Sequence, residues 1–93
     1  MIGQIRYSED AIADLQALRE YIALNNLSAA SRVAAHIRRS VDRFATHPKF
    51  GKVGRVERTR ELASLKFPHT IVYEEDQGDC MVLRVLHQAM RWP

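Results

Sequence analysis

Cysteine is nearly missing from this 93-residue chain, where Cys80 stands alone. It cannot close an internal disulfide, and a Cys-rich zinc site is excluded with it. Apolar runs are short as well, and none approaches the ~20 residues that a membrane span requires. Gln4, Arg6, Glu9 and Asp10 deny the first ten residues the apolar core of a signal peptide. No repeat, low-complexity tract or linker interrupts the chain. What remains is 46% hydrophobic, which suits a packed core and argues against disorder. The expectation is one cytosolic domain spanning residues 1–93. A domain this small buries only somewhat more than ~60% of its unfolded surface, so its stability can lean on a partner.

Charge of neither sign dominates, since the formal total is +3. The distribution is less even. Residues 32–60 hold nine basic side chains against Asp42 and Glu57, which leaves +7 there and −4 across the rest. A basic half beside an acidic half suits a polyanion or an acidic protein partner.

Residues 2–7 alternate and read as a short strand. Ser8 supplies an N-cap, and Glu9 and Asp10 place acids in the first turn of a helix, where the dipole favours them. Ile12, Leu15, Leu18 and Ile22 form that helix's apolar stripe, which Asn25-Asn26 ends. Ser28 opens a second helix. Its stripe of Ala30, Val33, Ala34, Ile37, Val41, Phe44 and Ala45 is the strongest pattern in the sequence, and His47-Pro48 stops it. Arg32, Arg38, Arg39 and Arg43 lie off the stripe.

A loop with Pro48, Gly51 and Gly54 then leads to a strand over residues 56–63. Phe67-Pro68 turns the chain into a β-rich stretch over residues 69–74. A polar hairpin loop at residues 75–79 precedes a nearly continuous apolar strand over residues 80–86. The predicted fold is α+β, in the order β-α-α-β-β-β, with a two-helix hairpin packed on a small, mostly antiparallel sheet.

Lys49, Lys52, Arg55, Arg58 and Arg60 crowd twelve residues, with Arg58 and Arg60 expected on one strand face. Such a strip is a solvated rim or a phosphate-contacting surface. Arg84 interrupts an apolar strand, so it needs a carboxylate or a ligand; Glu57, Glu61 and Glu74 are the carboxylates within reach across the sheet. His87 closes that strand and is either a structural histidine or an acid–base group. An ideal strand sends Arg84 and His87 to opposite faces unless a bulge intervenes. His36, His47 and His69 are scattered without ligand spacing, so no metal site is expected. Phosphate-binding loops, nucleophile elbows and zinc motifs are all missing.

The order of elements, read with Arg60-Glu61-Leu62, Ile71-Val72-Tyr73 and the tail from Leu83 to Trp92, resembles the RelE/ParE toxin superfamily. These are the toxins of type II toxin–antitoxin systems. The resemblance spans nearly the whole chain, and its most specific piece is the R-V-L-H-x-x-x-R-W tail ending in Arg91 and Trp92. RelE-like members cleave messenger RNA on the ribosome, whereas ParE-like members poison DNA gyrase. The RelE-like pattern has an arginine three positions before the tyrosine of the V-Y pair, and here that place is Thr70. The T-R-E-L, I-V-Y and R-V-L-H pieces are closer to the ParE branch, although Gln88 stands where that branch often has glycine.

The resemblance thus implies a cytoplasmic ParE-like toxin without cofactor, acting on gyrase and not as an enzyme. It implies a co-encoded antitoxin whose acidic C-terminal segment wraps the toxin, and operator DNA bound only through that antitoxin. Its antitoxin- or target-contacting residues would come from Arg38, Arg39, Arg43, Lys49, Lys52, Arg55, Arg58, Arg60, Arg84, His87, Arg91 and Trp92. The alternative is a metal-independent, ribosome-dependent ribonuclease using Arg58, Arg60, Arg84 and His87. A third reading is a non-toxic basic adaptor protein.

Overall fold

Ser8 begins the helical half as its sequence suggests. Its hydroxyl accepts the Ala11 N–H at 3.0 Å and so caps α1, Glu9–Ala23. α2, Leu27–Thr46, starts one residue before the expected Ser28, because the Asn26 side chain is the cap and accepts from Ala29 N–H. Asn26 is therefore the start of the second helix and not merely the stop of the first. The two helices form an antiparallel hairpin. The computed structural model describes residues 4–24, 26–64 and 67–87. The sequence-level readings of Gln88, Arg91 and Trp92, and of the Ala45 side chain, fall outside them. Among the described residues no helix is long and apolar enough to cross a membrane.

Five strands make one sheet: β1 (Ile5–Tyr7), β2 (Lys52–Val53), β3 (Arg60–Ala63), β4 (His69–Asp76) and β5 (Asp79–His87), in spatial order β1-β5-β4-β3-β2. All neighbours are antiparallel except β1, which runs parallel to β5 with Ile5 opposite Cys80. The order agrees with the predicted β-α-α-β-β-β apart from β2, a two-residue strand inside the segment read as loop. The expected strand over residues 56–63 shrinks to Arg60–Ala63. Thr59 directs both its N–H and its hydroxyl to the Val56 carbonyl, closing a turn where the strand was expected. Arg58 therefore lies in that turn and shares no strand face with Arg60.

The core sits between α2 and the sheet. Val33, Ile37, Val41 and Phe44 recur at helical spacing and are buried with Ile71, Tyr73, Cys80, Val82 and Val85. Phe44 stacks on Tyr73 with ring centroids 3.9 Å apart. The Tyr73 hydroxyl donates to Pro48 O at 2.7 Å and accepts from Gly51 N at 2.9 Å, which pins the loop after α2 to the sheet. Gly51 is needed there, since a Cβ would come within 2.9 Å of the Tyr73 ring. Cys80 is buried, as expected of a small hydrophobe, and burial first, then nearby Glu75 and Asp79, push its thiol up.

β5 carries a bulge. Val72 faces Arg84 but Tyr73 faces Val82, so Leu83 is the extra residue. Beyond Tyr7 the outer edge of β5 has no strand partner among the described residues, and α1 covers it instead. The Ser8 hydroxyl donates to Leu83 O at 2.8 Å, and Asp14 Oδ2 accepts Val85 N–H at 2.9 Å. A strand edge left open would expose such groups for pairing with another chain. Here the first two turns of α1 satisfy them.

Candidate functional site

α1 fails to bury its own stripe. Ala11 is its one buried residue; Leu15, Leu18 and Ile22 are half-buried, and Ile12 is 46% exposed. The reason lies on α2, where Ala30 and Ala34 present methyl groups too small to cover the facing leucines. A groove of about 360 Å³ results between the helices, floored by these alanines and the α1 stripe and flanked by Tyr7, Arg19 and Arg38. A second hollow, also lined by Arg19, Ala34 and Arg38, extends it to Leu27, which is exposed. Burial raises the Tyr7 phenol above its ordinary value, with Asp42 adding to the rise and Arg38 opposing it. An apolar floor between two guanidinium groups suits an amphipathic segment bearing acids at its margins. Among the described residues, Arg38 is the only one of the sequence-derived site residues here. Arg19 was missed, and the signal for it was two alanines four residues apart facing a leucine stripe.

The basic strip divides into cations that hold the fold and cations that do not. Arg55 grips Glu61 with Nε and Nη2 at 3.1 and 3.0 Å while its own N–H donates to the same carboxylate. Burial alone would raise the Glu61 carboxyl, whose side chain is only 2% exposed. The hydrogen bonds from Arg55, with the charges of Arg55 and Lys52, outweigh it and hold the group below the usual range. Arg60 donates to Gly51 O at 2.8 Å. Arg43 lies over the Phe50 ring at 5.5 Å. Arg39, Lys49, Lys52 and Arg58 are exposed.

Arg84 has a different partner from those the sequence offered. Its Nε and Nη2 bond Asp14 on α1 at 2.7 and 3.1 Å, and none of Glu57, Glu61 or Glu74 is that partner. The bulge at Leu83 puts Arg84 beside the helix that covers the sheet edge. The four residues of a ribonuclease constellation do not converge. Arg60 is opposite Tyr73 while His87 is opposite His69, which separates them by ~13 Å along the strands alone. Arg84 is drawn to α1, and Arg58 lies in the β2–β3 turn.

Of the histidines that the sequence leaves scattered, His69 meets His87 and His36 lies on the neighbouring α2. His69 and His87 meet edge to face at 5.8 Å between centroids. His36 Nε2 lies 2.8 Å from Ser64 Oγ, and its ring meets Phe67. No group of three such ligands is placed to hold a metal among the described residues. His69 is buried, and its Nδ1 lacks a hydrogen-bond partner among the described residues. Burial first, then the neighbouring His87 and His36, lower its pKa below the ordinary value. The unfolded chain takes up that proton near pH 6.5, and the folded chain only at lower pH. Stability is therefore intact above about pH 6.5 and is lost as pH falls from there towards the folded-state value. Thermal melts between pH 7.5 and 5 should show the decline, and His69→Phe should flatten it. An equally steep decline in that variant would shift the cause elsewhere.

Residues 5–92 match the family described as ParE toxin of type II toxin-antitoxin system, parDE. The chain is 36% identical over 90 residues to the protein Y4kP of Sinorhizobium fredii, covering 97% of this chain and 93% of that one. It is 31% identical over 88 residues to Toxin RelE2 of Caulobacter vibrioides, covering 95% and 98% of the two chains. Its fold superposes on a chain of a chromosomal ParDE TA system from P. aeruginosa with a TM-score of 0.79. That match has 20% sequence identity and covers 94% of this chain and 96% of the other.

Proposed function

We propose, because the chain belongs to the ParE toxin family of type II toxin–antitoxin systems, that it inhibits DNA gyrase and is neutralised by an antitoxin segment seated between α1 and α2. The half-buried stripe of α1 carries the second part. A helix that leaves Ile12, Leu15, Leu18 and Ile22 partly in water beside an alanine floor has apolar surface to give a partner. Arg19 and Arg38 at the margins favour acidic side chains on that partner. An otherwise disordered acidic tail gains apolar burial and charge pairing together on folding there.

Two observations support gyrase over messenger RNA. Thr70 occupies the place of the RelE-like arginine, and Arg58, Arg60, Arg84 and His87 lie apart. The purified toxin, added to gyrase and plasmid, should block supercoiling while leaving ribosome-bound message intact. Cut message with normal supercoiling would sink the gyrase reading and establish the ribonuclease.

Ala34→Arg tests the groove. Arginine keeps the helix propensity of α2 near that of alanine but fills the floor with a long cation. Antitoxin affinity should fall at least ~100-fold, the scale of a central interface residue, and co-expressed antitoxin should no longer rescue growth. Titration calorimetry showing unchanged affinity would place the antitoxin elsewhere.

A further inference from the structure

Arg58 is held at φ 71°, in the left-handed region, where a side chain crowds the following carbonyl. It is the third residue of the Val56–Thr59 turn, a position usually given to glycine or asparagine when φ is positive. The surroundings impose this conformation. Thr59, itself buried, donates to Val56 O through N–H at 3.1 Å and through its hydroxyl at 2.6 Å. Gly54 N–H donates to Thr59 O at 2.8 Å, and a Cβ on Gly54 would sit 2.2 Å from Thr59 Oγ1. Arg55 is clamped to Glu61 on the other side.

Arg58 is exposed and makes no hydrogen bond or ion pair among the described residues, unlike Arg55 and Arg60. A strained position maintained by its neighbours, with its functional group directed away from the fold, is a mark of function. The surrounding surface is mixed. Phe50 and Val53 are 50% and 76% exposed nearby in the chain, each beside an exposed lysine (Lys49 and Lys52), and exposed Glu57 adjoins Arg58. Arginine among exposed apolar side chains is the composition of a protein–protein contact, whereas a phosphate-binding surface would be more uniformly cationic. β2 lies four strands away from β1 in the sheet, or ~19 Å at the usual strand spacing, while the interhelical groove includes Tyr7 of β1.

We propose that the 54–59 loop is a rigid mount presenting Arg58 to a carboxylate on the toxin's cellular protein target, at the sheet edge away from the antitoxin groove. The proposal rests on the toxin and groove readings above, and its test separates them. Arg58→Gly and Arg58→Asn both tolerate the left-handed backbone and remove the guanidinium. Each should raise the melting temperature of the purified chain by about 4–8 °C, the shift for ~1 kcal/mol of relieved strain. Each should also leave affinity for the full-length antitoxin of the neighbouring gene within about twofold, and weaken growth inhibition at least tenfold. Arg58→Lys keeps a charge without the planar fork and should fall between. Undiminished growth inhibition by Arg58→Gly, beside a wild type that arrests growth, would overturn the role of Arg58 alone. A wild type that does not arrest growth would remove the toxin reading and this one with it. Antitoxin affinity lost tenfold in Arg58→Gly would reassign the loop to the antitoxin. Loss of a salt-sensitive affinity for RNA or DNA would reassign it to nucleic acid and equally overturn the proposal.

Discussion

Tyr73→Ala should destabilise the chain by about 3–5 kcal/mol, the usual cost of deleting a large buried aromatic. Total stability for a chain of this length is roughly 5–14 kcal/mol, so much of the population unfolds well before 37 °C if the starting value is at the low end. Tyr73 is fully buried and stacks on Phe44, and no neighbour on a β-strand can collapse into the space. Tyr73→Phe separates the two contributions. It keeps the stack but leaves Gly51 N–H and Pro48 O without the hydroxyl that joins them. That variant should lose about 1–3 kcal/mol. Burial raises the phenol above its ordinary pKa, so the hydroxyl stays a donor throughout the neutral range. Because Gly51 O also accepts from Arg60, the phenylalanine variant should loosen the loop bearing Lys49 and Lys52. Urea melts measure both values. A loss under 1 kcal/mol for Tyr73→Ala would refute this description of the core.

Asp14→Ala comes next, at about 2–3 kcal/mol. One carboxylate holds Arg84 Nε, Arg84 Nη2 and Val85 N–H, so a single deletion takes this carboxylate from a guanidinium and a strand-edge donor at once. Side-chain exposures of 26% for Arg84 and 16% for Asp14 place the cost below that of a fully buried pair, where removing one partner costs ~3–5 kcal/mol. The double variant Asp14→Ala/Arg84→Met should recover part of the loss, since it also removes the charge that Asp14 offsets. Strict additivity of the two single changes would show that the contact contributes nothing. Since Asp14 also fixes α1 against β5, the single variant should loosen the wall of the interhelical groove as well as lower stability.

The parts of the fold legible in the sequence are those set by neighbours a few residues apart. Ser8 before two acids, the Val33–Phe44 stripe and His47-Pro48 each specify local backbone, and the structure agrees with them. The Gln77-Gly78 hairpin is similar, with both residues at positive φ. The parts not legible depend on pairings across the chain. Alternation over residues 56–63 mimics a strand, but a buried threonine's bonds to Val56 override it. Arg84 needed a carboxylate, as its apolar surroundings demanded, yet a one-residue bulge redirected it to Asp14, 70 positions earlier. The basic strip was visible as a run of charges. Which of those charges the fold consumes was not, because Gly51 and Glu61 claim Arg60 and Arg55 only after the sheet forms. The contact of His69 with His87 was hidden for the same reason: the two belong to different strands.

The parallel pairing of β1 with β5 sets an order of events during synthesis. Ile5 meets Cys80, and Ser8 meets Leu83, across 75 residues. At roughly 5–20 residues per second, the ribosome needs ~4–15 s to deliver the second partner after the first. Throughout that interval β1 has no strand to pair with, and Tyr7 cannot take its place at the edge of the interhelical groove. A nascent chain thus cannot complete the β1 edge of the sheet, or the groove wall beside it, until Leu83 has been made.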